Sequence, residues 1–530
     1  MLFTSYSFVL FVAAVLLLYY IVPRKFQWPL LLVASYYFYY CADTKGRYLL
    51  FITVTSVVTW ICGIVMDKIG TEGDAYVKAH KADLSKEERK AYKAQVKHKK
   101  NMVLLLSLLI TIGILAVTKY TNFVITNINS FLKPGNAIRA MDIIVPLGIS
   151  FYTFQAASYL IDVSRGTIKS EKNFFKMALF VSYFPQLVQG PISRFGDLSQ
   201  TLYEPHKFEL NGFGRGLIRI LWGYFKKLVI ADRIMIAIKP MITITDKYYG
   251  TYVFIAMLFY AFELYCDFTG GIDITIGISE CMGIKLKENF ILPYFSKNVK
   301  EYWNRWHITM GTWFTDYIFY PLSVSPRMLK LSKWSRSHLG DKLGKRVTVY
   351  LSCFLVWLAT GVWHGAAWNF IVWGLANYVI IMVSQELEPL YAKFHGKFHL
   401  KDKPGYAVFE ICRTIFIMSC IRLFDCYRNV PLTFKMIGSM FTKANLKVYV
   451  DGSLMELGLT AADYTVLVIG FIIVLGVGIY KAQTKKDVRT ELSKNIPLFC
   501  LVCVLLVLSV AVLGAYGNGY DSTQFIYNQF

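Results

Sequence analysis

The sequence is poor in charge, and the charges that it has are mostly positive. Asp, Glu, Lys and Arg make up 17% of the 530 residues, and 57 Lys and Arg residues stand against 34 Asp and Glu residues. Soluble domains carry about 25% charged residues, so this composition argues against a soluble fold. The net charge of +23 lies in loops between apolar runs rather than on one polar face. We therefore expect no nucleic-acid partner.

The sequence also lacks the motifs of several enzyme classes. It contains no HExxH, no GxSxG and no paired CxxC motifs. Most of the 10 cysteines lie inside apolar runs, where Cys behaves as a small hydrophobic residue. The one CxxC, formed by Cys500 and Cys503, lies in such a run. The sequence thus predicts no disulfide framework, no metal site and no bound cofactor.

Long apolar runs dominate what is present. Hydrophobic residues make up 55% of the chain, and the mean hydropathy is +0.43. About 20 residues cross the hydrocarbon core, and a spanning segment must pair its backbone groups internally. The pattern predicts an all-α, multi-pass protein of the cell membrane, surrounded by membrane lipids. The clearest runs are 5–22, 27–42, 48–66, 102–118, 464–480 and 496–515.

The distribution of Lys and Arg predicts the topology. The loop at 67–101 is the densest basic segment, and the positive-inside rule makes it cytoplasmic. The first apolar run is followed, not preceded, by basic residues, so we expect it to stay as an anchor with the N-terminus outside. Residues 495–530 contain no Lys or Arg. We therefore expect the tail at 516–530 to lie outside.

Polar residues interrupt the apolar runs between 143 and 385. Such residues are costly at membrane depth unless they face a cavity or one another. We therefore expect residues 143–385 to be the functional core of a single membrane-embedded domain, 1–530. A transporter or flippase of a lipid-linked sugar is an alternative from another class, but we find none of the inverted repeats common in transporters.

Two of the eight histidines lie in segments that could enter the membrane. His307 lies in WNRWHITMGTW and His364 in TGVWHGAAW. A neutral imidazole can take or give a proton at cellular pH, and burial favours the neutral form. The other six histidines lie in charged or polar segments, where we expect them to be solvated. From the residues alone, the pair could also be two unrelated core histidines.

The segments around these histidines resemble the membrane-bound O-acyltransferase family. The resemblance covers nearly the full length and extends to SFYTFQAASYLIDVSRG, FPQLVQGPISRF and YCDFTGGIDITIGISECMGIKLKENF. It is to the bacterial branch that contains the alginate O-acetyltransferase membrane subunit, the peptidoglycan O-acetyltransferase and the D-alanyl transfer protein of teichoic acids. The resemblance implies a fold of roughly eleven or more transmembrane or re-entrant helices around a central funnel.

The resemblance also implies roles for particular residues. His364 matches the catalytic histidine of the family, and His307 matches the upstream histidine of this branch. Asp267 and Arg194 match recurring positions, for which packing or charge pairing is the expected role. The chain ends in FIYNQF, in which the resemblance implies that Tyr527 is a transient acyl carrier. Without the resemblance, a tail packed on the membrane surface would be the default interpretation.

The implied reaction is transfer of an acyl group to a polymer outside the cell. The donor would be a cytoplasmic acyl thioester such as acetyl-CoA, and the acceptor a surface polysaccharide. The implied partner is a second, extracytoplasmic acyltransferase of the SGNH type. The length of the chain favours acetyl transfer, with D-alanyl transfer to teichoic acid as the alternative.

Overall fold

The computed structural model describes residues 3–43, 45–400 and 403–516. Within these ranges every named element is helical, and the one β-type contact is an isolated bridge between Phe290 and Trp306. The prediction of an all-α protein is confirmed. The first helices are α1 (Tyr6–Ile21), α2 (Gln27–Tyr40), α3 (Arg47–Ala79), α4 (Lys86–Asn129), α5 (Ile149–Arg165), α6 (Phe174–Ser182), α7 (Phe184–Leu187) and α8 (Phe195–Leu202).

Fourteen further α-helices follow in the described part of the chain. They are α9 (Leu210–Tyr224), α10 (Asp232–Thr243), α11 (Thr251–Cys281), α12 (Val299–Arg305), α13 (Ile308–Phe314), α14 (Tyr320–Ser323), α15 (Pro326–His364), α16 (Trp368–Glu386), α17 (Glu388–Phe398), α18 (Pro404–Tyr427), α19 (Val430–Thr442), α20 (Ala461–Thr484), α21 (Val488–Leu492) and α22 (Ile496–Leu513). Two π-helical segments, Phe225–Ala231 and Thr315–Phe319, continue α9 and α13.

Seven of the described helices are long and apolar enough to cross a membrane. They are α3, α4, α11, α15, α16, α20 and α22. All six apolar runs predicted from the sequence are helical. The chain is therefore a multi-pass membrane protein, as the sequence predicts.

Residues Met1–Phe213 and Ile278–Leu286 form one compact unit. Its longest feature is the pair α3 and α4, of 33 and 44 residues. At 1.5 Å per residue they are about 50 and 66 Å long, more than the roughly 30 Å of the hydrocarbon core. Gly73 lies against Val96, and the rings of Tyr76 and Tyr92 stack at 4.4 Å. The basic loop is thus largely a helical hairpin that extends beyond the apolar segments.

His206, in the same unit, is not the solvated residue that the sequence predicts. Its Nδ1 lies 2.9 Å from the Tyr19 hydroxyl, and its backbone oxygen accepts a hydrogen bond from the Gln27 amide. Its partners come from the first two helices, far away in the chain. The polar residues next to His206 in the sequence therefore did not reveal its tertiary contacts.

Residues Gly214–Gly277 and Lys287–Phe530 form the second compact unit. Within it α15 and α16 pack closely through glycines. A Cβ at Gly361 would lie 2.6 Å from the backbone oxygen of Phe370, and one at Gly374 would lie 2.5 Å from that of Trp357. Larger residues at these positions would push the two helices apart. Further back in α15, Gly340 has a φ of 76° and breaks the helix.

The second unit also buries a cluster of ion pairs, which we call the lysine cluster. Lys227 contacts Asp267 at 2.5 Å and Asp232 at 2.8 Å. Asp267 is thus charge-paired, as expected. The neighbouring contacts are Lys226 to Asp273 at 2.7 Å, Arg219 to Asp273 at 2.8 Å and Arg219 to Glu288 at 2.6 Å. The other recurring position, Arg194, precedes α8 in the first unit.

Candidate active site

His307 lies between two short helices, α12 and α13, in a strained backbone conformation. Its φ of 48° and ψ of 52° are left-handed, and its side chain is only 1% exposed. A non-glycine residue in this conformation costs of order 1–3 kcal/mol and is retained where the surroundings hold it, often at functional sites. Here only Trp306 and His307 separate the end of α12 from the start of α13, and this sharp turn leaves the His307 imidazole buried.

Asn289 holds the His307 segment in place. Its backbone oxygen accepts from the Ile308 N–H at 3.0 Å. Its carboxamide oxygen accepts from the Thr309 N–H at 3.0 Å and the Thr309 hydroxyl at 2.9 Å. The carboxamide nitrogen lies 3.2 Å from His307 Nδ1, and the oxygen lies 3.3 Å from it. One buried amide thereby fixes both the backbone and the ring of His307.

His364 is the last residue of α15 and is 8% exposed. Its ring centroid lies 4.4 Å from that of Trp373 on α16, in an edge-on arrangement. The next residue, Gly365, touches the ring of Phe370 so closely that a Cβ would lie 2.2 Å from it. The tight turn between α15 and α16 therefore presents the imidazole beside the second helix.

The two histidines contact the same indole ring. Trp363 lies 6.1 Å from His307 and 5.1 Å from His364, measured between ring centroids. Phe268 approaches His307 at 5.0 Å, and Phe314 approaches Trp363 at 6.4 Å. The structure thus brings together the two histidines that the sequence singled out, in a surrounding built from aromatic rings.

Arg422, on α18, is a charged residue of this region that the sequence analysis missed. Its guanidinium carbon lies 5.0 Å from the rings of Trp306 and Trp373 and 5.7 Å from that of Trp303. Its Nη1 donates to Asp425 at 3.0 Å. We call Arg422 and these three rings the arginine cage. The available signal was an Arg and an Asp three residues apart in the part of α18 after Arg413, where the other residues are uncharged.

The remaining predicted site residue, Tyr527, lies outside the described residues, as does most of the tail at 516–530. The start of the tail is described. The Ala515 N–H donates to the backbone oxygen of Leu228 at 2.8 Å, and Arg233 donates to the backbone oxygen of Leu513. Leu228 lies in the π-helical segment Phe225–Ala231. These two contacts anchor the chain at the end of α22.

Comparison with known proteins places this arrangement in a family. The family model for MBOAT, the membrane-bound O-acyltransferase family, matches residues 167–426, which include both histidines and Arg422. The "probable alginate O-acetylase AlgI" of Pseudomonas putida is 33% identical over 391 residues, covering 73% of this chain and 71% of the relative. The chain belongs to the membrane-bound O-acyltransferase family.

Two further relatives are named for different polymers, alginate and peptidoglycan. The "probable alginate O-acetylase AlgI" of Pseudomonas syringae pv. tomato is 33% identical over 378 residues, which is 71% of this chain and 64% of that relative. The "peptidoglycan O-acetyltransferase" of Helicobacter pylori is 31% identical over 332 residues, or 58% of this chain and 59% of the relative. The chain thus spans somewhat less than two thirds of the length of both of these curated relatives.

Proposed function

We propose that this protein is an O-acyltransferase that passes an acetyl group from a cytoplasmic thioester, acetyl-CoA, outward for O-acylation of a cell-surface or secreted polysaccharide. Membership of the family supports acyl transfer. The names of the relatives support acetyl as the group and a polymer as the final acceptor. The observation that carries the proposal is that His307 and His364 both contact the ring of Trp363.

His364 acts as the general base on the acceptor hydroxyl. The hydroxyl proton passes to an imidazole nitrogen while the acceptor oxygen bonds to the thioester carbonyl carbon, and the carbonyl π electrons move onto its oxygen. When the C=O bond re-forms, the C–S bond breaks and the thiolate takes the proton back from His364. The imidazole ends in the state in which it began, so no further reagent is consumed.

His307 acts as a hydrogen-bond donor. The carboxamide oxygen of Asn289 already accepts two hydrogen bonds from Thr309, which use its two lone pairs. The Asn289 NH₂ group is then the partner for His307 Nδ1, which accepts. We infer that the ring hydrogen of His307 is on Nε2, where it would position the acceptor or stabilise negative charge on the acyl oxygen.

Tyr527 carries the acetyl group between the site and an extracytoplasmic SGNH-type acyltransferase. From Ala515 to Tyr527 an extended chain spans up to about 40 Å, and the bilayer midplane lies about 15 Å below the edge of the hydrocarbon core. A phenol, with a pKa near 10, loses its proton more easily than a sugar hydroxyl. Its ester keeps a good leaving group, so the acetyl group stays activated for the partner.

The test is intact-mass analysis of the purified protein after incubation with acetyl-CoA. We expect a labile adduct whose mass identifies acetyl, and we expect Tyr527→Phe to lack both the adduct and polymer acylation. Tyr520→Phe is the matched control, since it removes a phenol from the same tail. An adduct that persists in Tyr527→Phe would reject the relay alone. No turnover of acetyl-CoA by the wild-type protein would reject the acetyltransferase and favour D-alanyl transfer or a transporter.

The relay also requires the tail to lie outside and the basic hairpin inside. A cysteine introduced at Ser522 should react with a membrane-impermeant thiol reagent in intact cells, and one at Ala82 should react only after lysis. Because Cys412 and Cys500 are exposed, both variants belong in a parent that lacks these two thiols. Labelling of Ala82→Cys alone in intact cells would reverse the orientation and exclude the relay.

A further inference from the structure

The arginine cage holds more hydrogen-bond donors than acceptors. Arg422 is 5% exposed, and its Nε has no hydrogen-bond partner within the described residues. The indole nitrogens of Trp303 and Trp373 are likewise buried and without a partner there. Two oxygen acceptors approach Arg422, the Asp425 carboxylate, which accepts from Nη1, and the Tyr302 hydroxyl, but neither engages Nε. Three N–H groups within one cluster of rings therefore lack an oxygen atom to bind.

Other buried polar atoms of the described residues also lack a partner, but Arg422 Nε is the one among them that belongs to a Lys or Arg side chain. Buried polar groups are almost always hydrogen-bonded, and an open donor on a cation is especially costly in surroundings of low polarity. The lysine cluster shows that this chain can supply carboxylates to buried cations, since Lys227 contacts two of them. The open donors of the cage thus suit a ligand that brings an oxygen acceptor with it.

The cage touches both histidine segments. Trp373, which lies under the Arg422 guanidinium at 5.0 Å, is the ring that contacts His364 at 4.4 Å. Trp306, also 5.0 Å from the guanidinium carbon, immediately precedes His307 in the chain. One aromatic ring, Trp373, therefore separates Arg422 from His364. Arg422 also contacts Trp306, the residue before His307.

We propose that Arg422 is a further catalytic residue, whose Nε–H donates to the acyl oxygen as it becomes the oxyanion of the tetrahedral intermediate. This inference rests on the proposed acyl transfer. Asp425 and the three indole rings keep the guanidinium in one orientation, so no reorganisation is needed when charge develops. A fixed cation in a site that excludes water acts more strongly on this oxyanion than on the neutral carbonyl. Its effect should therefore be on kcat rather than on KM.

The experiment measures thiol release from acetyl-CoA by the full-length protein in lipid vesicles. For Arg422→Gln we expect kcat to fall by about 10² to 10³-fold, the usual effect of losing one oxyanion donor, with little change in KM. Arg413→Gln is the matched control, because Arg413 lies on the same helix but donates to the backbone oxygen of Lys297. The control should retain wild-type kcat.

Two more variants keep the inference open to rejection if Arg422→Gln folds poorly. Arg422→Lys keeps the charge beside Asp425 but lacks Nε, so we expect it to fold and to lose at least about tenfold in kcat. Added guanidinium should restore part of the activity of Arg422→Ala. A wild-type kcat in the Gln or Lys variant, or a raised KM with unchanged kcat, would overturn the inference. Absence of thiol release from the wild-type protein would instead reject the proposed function.

Discussion

Two regions of the second unit bury cations, and they do so differently. In the lysine cluster, Lys227 contacts two carboxylates, and Lys226 contacts Asp273 and the Thr269 hydroxyl. In the arginine cage, Arg422 has one carboxylate and three aromatic faces. Burial of a charge is costly in both cases. We interpret the matched cations of the lysine cluster as structural, and we propose that the open donor of Arg422, one aromatic ring away from His364, belongs to the site.

The largest effect that we expect comes from removing His364, the proposed general base. His364→Ala should lower acyl transfer by about 10² to 10⁴-fold, the contribution of a general base, without loss of folded protein. Acetylation of the surface polymer and thiol release both measure this. His338→Ala, an exposed histidine on the same helix, should behave as wild type. Normal acylation in His364→Ala would mean that the region next to the arginine cage is not a catalytic site, and that it does not differ from the lysine cluster in function.

A substitution in the lysine cluster should lower the stability of the protein rather than its catalytic rate. Lys227→Met leaves Asp267 and Asp232 buried without their cation, which should cost about 3–5 kcal/mol. We expect a lower melting temperature and a lower yield, with unchanged kcat per folded molecule. The exposed Lys239 supplies the control, Lys239→Met. A Lys227→Met protein of normal stability but low kcat would mean that the cluster takes part in the reaction.

His307 should give the smallest of the three effects. Gln can keep a hydrogen-bond donor near the position of the imidazole, so His307→Gln should retain activity within about tenfold of wild type, the value of one net hydrogen bond. His307→Ala should be more active than His364→Ala but less active than the Gln variant. Steady-state rates of thiol release would rank the activities of these three variants. Full activity in His307→Ala would exclude His307 from the site.

The sequence predicted the helical class and the positions of the apolar runs, and the two histidines that it singled out, His307 and His364, are both buried near Trp363. It also predicted charge pairing for Asp267, although not the identity of its partner, Lys227. It missed Asn289 and Arg422. The residues next to Asn289 in the sequence do not indicate its importance, because its contacts are with His307 and Thr309, which lie 18 and 20 residues later in the chain. Arg422 lies in a helix whose apolar pattern hides it.

The sequence by itself determined that this chain is helical and lies in a membrane, because long apolar segments in lipid must satisfy their own backbone groups. It also singled out His307 and His364, which are both buried, but it did not reveal the contacts of His206 with Tyr19 and Gln27. Only the tertiary structure decided that both contact Trp363 and that Arg422 lies one aromatic ring away from His364. Hydropathy can be calculated from residues that are adjacent in the sequence. These contacts instead join residues far apart in the sequence, and they depend on how closely α15 and α16 pack at Gly361 and Gly374.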